Sequence, residues 1–199
     1  MDESQVLLID TEPQGTHCRV SRQSLEAARF ATGPMSARAR AWTIGPVGRM
    51  PALSAAVRHA VRANATTYLN PPFKGASCHG IHKLAASLPR WLQLAREPVR
   101  DLPQMAMVME RAGTGGAIFR NIYRDFLAEA RELLPRAKVP LTQALSYFAQ
   151  AADEWTAIAG LIDAAGRKAD ESLLHEAARR CLHIARIETS AMQILQRLP

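Results

Sequence analysis

The segment Arg111-Ala112-Gly113-Thr114-Gly115-Gly116 carries the residue types best suited to holding a ligand, and Arg120 and Tyr123 follow within two helical turns. A glycine-rich loop leaves backbone N–H groups free at the start of the next helix. Those donors and the helix dipole favour an anion or a polar ligand group. Arg111 and Arg120 add planar forks of charge-assisted donors. Two nucleotide-binding loops are excluded by spacing. No Gly-Lys-Ser/Thr follows, as a Walker loop requires, and no strand pattern precedes, as a dinucleotide fingerprint requires. The competing reading is structural, a glycine C-cap with a close helix crossing.

Other reactive residues are poorly placed for chemistry. Cys78 and His82 stand four apart, on one face of a helix, where a thiolate beside an imidazole would make a nucleophile pair. A cysteine on an apolar helix face is more often a packing residue. His17, Cys18, His175 and Cys181 lie too far off in sequence to complete a metal-ligand spacing, so no metal or other cofactor is expected. Asp153 and Glu154 are adjacent and therefore point about 100° apart on a helix of 3.6 residues per turn, which rules out a facing acid/base pair. One of them is placed to meet the arginines near the glycine loop, or else faces solvent. His175 and His183, about two turns apart, read as surface residues.

The elements that position these residues are mainly helical. Val6-Leu7-Leu8-Ile9 is an apolar run ending at Asp10 and reads as a buried strand, with His17 to Val20 as its return. Ser21 and Ser24 offer N-caps for a short helix through Phe30. Ala39 to Ile44 reads as a third strand. From Leu53 onward the periodicity is helical. Segments near 53–70, 76–95 (with Pro89 as a kink), 102–111, 116–134, 141–162 and 171–198 each show apolar residues at steps of three and four. Short connections containing Pro or Gly imply an antiparallel bundle of about six helices. The expected division is 1–50, with the short β segment, and 51–199, the bundle.

Composition narrows the class. An apolar fraction of 48% and a charged fraction of 22% describe an ordinary globular chain. No apolar run approaches the ~20 residues that span a bilayer, and the acidic start Met1-Asp2-Glu3 lacks the basic region of a signal peptide. Three scattered cysteines make no disulfide framework and fit a reducing cytoplasm. The net charge of +7 resides between Thr16 and Arg100, where thirteen bases face two acids. Such a surface attracts anionic partners or simply solubilises the chain. Trp42 and Tyr68 are the aromatic candidates there and no nucleic-acid motif accompanies them, so an acidic protein partner ranks above nucleic acid.

The run Glu110-Arg111-Ala112-Gly113-Thr114-Gly115-Gly116-Ala117-Ile118-Phe119-Arg120-Asn121-Ile122-Tyr123-Arg124-Asp125-Phe126-Leu127 resembles the C-terminal domain of the butirosin-biosynthesis acyltransferase family. Val6 to Thr11, Leu25-Glu26-Ala27-Ala28-Arg29, Trp42 and Glu154-Trp155-Thr156 extend the resemblance over nearly the whole chain, the glycine loop and its continuation being its specific part. It implies a two-part enzyme. A papain-like half supplies a nucleophilic Cys and a His, a helical half follows, and an acyl group passes from a carrier-protein thioester to an amine. Val6–Asp10 is similar to the last strand of the papain-like half, which makes Asp10 the acid that orients the His. The residues ahead of Val6 hold neither Cys nor His. The expectation is a chain whose catalytic half is encoded upstream or has been lost.

Two functions follow as expectations. The first is an accessory or substrate-recognition domain of such an acyltransferase, not catalytic alone. It would be partnered by an acyl carrier protein and an upstream papain-like domain, with Asp10 catalytic and Arg111, Gly113, Thr114, Gly115, Gly116, Arg120 and Tyr123 binding substrate. The second is a non-enzymatic scaffold that self-associates into a homo-oligomer through its N-terminal strand, because an apolar strand edge invites pairing.

Overall fold

The computed structural model describes residues 4–9, 17–33, 36–43, 45, 48, 50–111 and 116–199. Asp10 and Gly113, Thr114 and Gly115 lie outside the described residues. The chain divides into two compact units, 1–50 and 51–199.

In the first unit, β1 (Gln5–Leu8) pairs antiparallel with β2 (Cys18–Ser21), Val6 facing Val20 and Leu8 facing Cys18. α1 (Arg22–Phe30) follows without a break, its first turn capped by Ser21, whose hydroxyl accepts from the Ser24 N–H at 3.0 Å. Two expectations change here. The strand reading of Val6–Ile9 holds through Leu8, but its burial does not: residues alternate between half-buried and exposed, with Leu7 61% and Ile9 77% exposed. A two-stranded ladder with one short helix lacks the area to cover both faces. Nor is 39–43 a strand. Arg38 and Ala39 both take a left-handed backbone (φ 51°), and Ala39 is tied to the end of α1. Its N–H donates to the Arg29 carbonyl at 3.0 Å, and Arg29 Nη2 donates to its carbonyl at 2.9 Å.

The second unit is a helical bundle, and the six helical stretches expected from periodicity all form. α2 covers Leu53–Leu69. α3 (Ser77–Ser87) ends where Pro89 enters, giving a 3-10 turn at Leu88–Arg90 and a single further turn, α4 (Trp91–Leu94). α5 (Pro98–Arg111), α6 (Ala117–Leu133), α7 (Lys138–Lys168) and α8 (Glu171–Gln196) complete it.

The long pair α7 and α8 is the frame. Only Ala169 and Asp170 connect them. Ala169 takes the left-handed conformation (φ 52°) and donates to the Ala165 carbonyl, while Asp170 Oδ1 accepts from the Ser172 N–H at 2.9 Å. So tight a turn makes the pair an antiparallel hairpin. Two core clusters form on it. One gathers α3 and α5 around Trp155, Ile158, Ile162, Cys181 and Ile184. The other gathers α2 and α6 around Leu141, Phe148, Met192 and Leu195. Gly166 lets α5 approach α7 closely, since a Cβ there would lie 2.7 Å from both Leu102 Cβ and the Pro98 carbonyl oxygen.

Candidate functional site

Where the two core clusters meet, four helices converge on one buried carboxylate. Glu188 on α8 is 1% exposed and is the one buried charged residue among those described. Arg120 on α6 grips it side-on, Nε 2.7 Å from Oε1 and Nη2 3.2 Å from Oε2. Tyr68 on α2 donates its hydroxyl to Oε2 at 3.0 Å, and Trp155 on α7 donates Nε1 to Oε1 at 3.4 Å. The Arg120 guanidinium also lies 5.0 Å from the centroid of the Trp155 ring, within cation–π range. Burial, then the facing Glu188 carboxylate, holds the Tyr68 hydroxyl well above the ordinary phenol range, so Tyr68 stays a proton donor.

Above this cluster opens a cavity of about 550 Å³, lined by Asn64 and Tyr68 of α2, by Phe119, Arg120, Ile122, Tyr123 and Phe126 of α6, by Phe148 of α7, and by Glu188 and Met192 of α8. Its volume falls in the ~300–1,000 Å³ range of small-molecule sites. Tyr123 stacks on Phe126 (centroids 5.8 Å) and meets Phe148 edge-on (4.8 Å). Phe119 and Ile122 stand at the rim, each more than half exposed. The Tyr123 hydroxyl is buried without a hydrogen bond among the described residues. Burial raises its pKa, an effect that Asn64 beside it partly offsets although no bond of proper geometry joins them.

Of the residues expected to bind substrate, Arg111, Gly116, Arg120 and Tyr123 are described, and they do not share one site. Arg120 and Tyr123 reach the cavity. Arg111 is exposed in the last turn of α5, where a cation suits the helix dipole. Gly116 is the N-cap of α6, and its role there is spatial. A Cβ would collide with the Met109 carbonyl oxygen and lie 2.9 Å from Glu110 Oε1. Glu110 itself holds the helix start, accepting from the Ala117 N–H at 3.3 Å through Oε1 and from the Thr156 hydroxyl at 2.9 Å through Oε2. An internal carboxylate therefore sits where an external anion was expected.

The remaining candidates take structural roles. His82 Nδ1 lies 2.7 Å from the Cys78 backbone carbonyl, which turns the ring to its own helix, and Cys78 packs against the core. Glu154 pairs with Arg180 of α8 at 2.8 Å, not with the arginines near the glycine loop. His175 is exposed beside Glu171. Among the described residues, no group of His, Cys, Asp and Glu gathers as a metal site.

Glu188 escaped the reading of the sequence, yet it leaves a signal there. It is a lone acid inside the apolar stripe Cys181, Ile184, Ala185, Ala191, Met192 and Leu195, in step with the helical repeat. A charge at such a position needs a buried partner.

Residues 23–195 match a family described as a domain of unknown function, DUF4872. No curated protein and no solved structure matches the chain.

Proposed function

The chain belongs to the DUF4872 family, and on that premise we propose that it is the helical accessory half of a carrier-protein-dependent acyltransferase, which binds part of the substrate without catalysing transfer alone. The observation carrying this reading is the cavity over Arg120 and Glu188, built by the segment in which the sequence resembles the butirosin-type acyltransferases. Its apolar walls with a few fixed polar groups have the make-up of a small-molecule site.

The division of labour follows from the chemistry. Acyl transfer from a thioester needs a thiolate to take the acyl group, a His to move the proton and an acid to orient the His. A papain-like partner would supply the first two, and Asp10 the third. The basic face of α2, with Arg58, His59 and Arg62 and no acid on that helix, suits an acidic carrier protein. Three free cysteines suit a reducing, cytoplasmic setting. Among the described residues no helix is long and apolar enough to cross a membrane.

The test is reconstitution. A papain-like partner bearing the Cys and the His is co-expressed with this chain, and acyl transfer from a carrier-bound thioester to an amine is followed. Turnover is expected only with both polypeptides. Asp10→Asn is expected to lower it by roughly a thousandfold or more, because the His loses its orienting acid. Undiminished turnover would remove Asp10 from the mechanism.

A second reading draws on β1. Leu7 on the strand and Ile9 just beyond it are exposed, and among the described residues the strand is paired only with β2. A scaffold that self-associates through this strand would lose its oligomer on deletion of residues 1–13. An unchanged mass by light scattering would discount it.

A further inference from the structure

We infer that the cavity over Glu188 receives the acyl group and not the amine acceptor: an uncharged, mostly apolar chain whose carbonyl oxygen accepts a hydrogen bond from Tyr123. This inference rests on the acyltransferase reading and decides which half of the substrate the helical domain holds.

Charge makes the first distinction. A carboxylate offers about four lone-pair sites, and those of Glu188 are met by Arg120 Nε, Arg120 Nη2, Tyr68 Oη and Trp155 Nε1. An ammonium group entering the cavity finds no open acceptor on Glu188. The ion pair closes the floor and leaves no net charge on it.

The walls make the second. Phe119, Ile122, Phe126, Phe148 and Met192 surround the space with apolar surface that rewards burial of methylene groups. On this wall one polar atom, the Tyr123 hydroxyl, has no hydrogen bond among the described residues. A buried donor without an acceptor is costly, and a carbonyl placed there removes the cost. The hydroxyl is screened from water, and Asn64, an exposed residue of the same wall, lies beside it. A turn of Asn64 opens the hydroxyl to a ligand.

The experiment titrates the full chain with N-acetylcysteamine thioesters of acetyl, butyryl and hexanoyl groups and, separately, with spermine. Binding is followed by calorimetry and by the methyl resonance of Met192. Affinity should rise with chain length, the Met192 signal should shift with the thioesters, and spermine should leave it unmoved. Tyr123→Phe should weaken hexanoyl binding by about fivefold, the equivalent of one neutral hydrogen bond, with a folded spectrum. Affinity independent of chain length, thioester binding without a Met192 shift, or spermine binding at Met192 would each overturn the inference. Spermine binding there would leave the accessory-domain reading in place and give the cavity to the acceptor. Thioester binding with no transfer on reconstitution would do the reverse.

Discussion

Arg120 on α6 and Glu188 on α8 meet side-on inside the bundle, with Nε 2.7 Å from Oε1 and Nη2 3.2 Å from Oε2. This pair joins residues 68 apart in sequence and forms the floor of the cavity. It is a specificity device more than a source of stability, since desolvating two charges offsets most of their attraction.

That balance predicts an asymmetry. Glu188→Leu takes the facing carboxylate from the largely buried Arg120 and strips acceptors from Tyr68 and Trp155, so it should cost about 3–5 kcal/mol. Adding Arg120→Met should recover most of the loss. Urea unfolding of both variants measures this. A double variant no more stable than Glu188→Leu would show that the charge pair itself supports the fold.

Tyr123→Phe should leave stability unchanged or raise it by about 1 kcal/mol, because it deletes a buried hydroxyl with no hydrogen bond among the described residues. The measured quantity is the denaturation midpoint without ligand. A marked loss would reveal a hydrogen bond that the free protein makes.

Gly166→Ala should destabilise the bundle by about 1–3 kcal/mol through overpacking at the α5–α7 crossing. The added methyl meets Leu102 and the Pro98 carbonyl, and neither is the far end of a flexible side chain. Three residues on, Ala169→Gly should raise stability by about 1 kcal/mol, since glycine adopts the left-handed turn without the Cβ strain of alanine. Thermal unfolding of the two variants should therefore move in opposite directions.

Alkaline pH should weaken the fold. Burial pushes the Cys181 thiol up to about 12 from 9.0, and burial also raises the hydroxyls of Tyr68 and Tyr123. All three hold their protons more tightly folded than unfolded. Their stabilisation is complete below the unfolded values and is lost as pH rises from about 9 towards 12. Unfolding midpoints between pH 8 and 11 should fall, and Cys181→Ala should flatten the slope. Thiol reagents should modify Cys18 and Cys78 in the native protein and spare Cys181, which unfolding exposes.

The bundle was legible because the periodicity of α6, α7 and α8 runs over many turns, and Pro89 marks its own break. The first fifty residues were less legible. Val6-Leu7-Leu8-Ile9 has the composition of a buried strand, but burial depends on what packs over it, which local sequence does not state. Arg120 and Tyr123 were found beside the glycine loop, although the expected reason, an anion at the helix start, is met internally by Glu110. Glu188, which Arg120 grips, lies on α8, and Asn64, beside Tyr123, lies on α2; a contact over such a separation leaves no local spacing to read.

The most direct test of the account is acyl transfer by the reconstituted pair. A papain-like partner bearing the Cys and the His is mixed with this chain, a carrier-bound hexanoyl thioester and an amine acceptor, and the amide product is quantified. The account predicts that product forms only when both polypeptides are present, and that Tyr123→Phe, though folded, lowers the rate severalfold at limiting hexanoyl donor. Product formed at the same rate without this chain would contradict it.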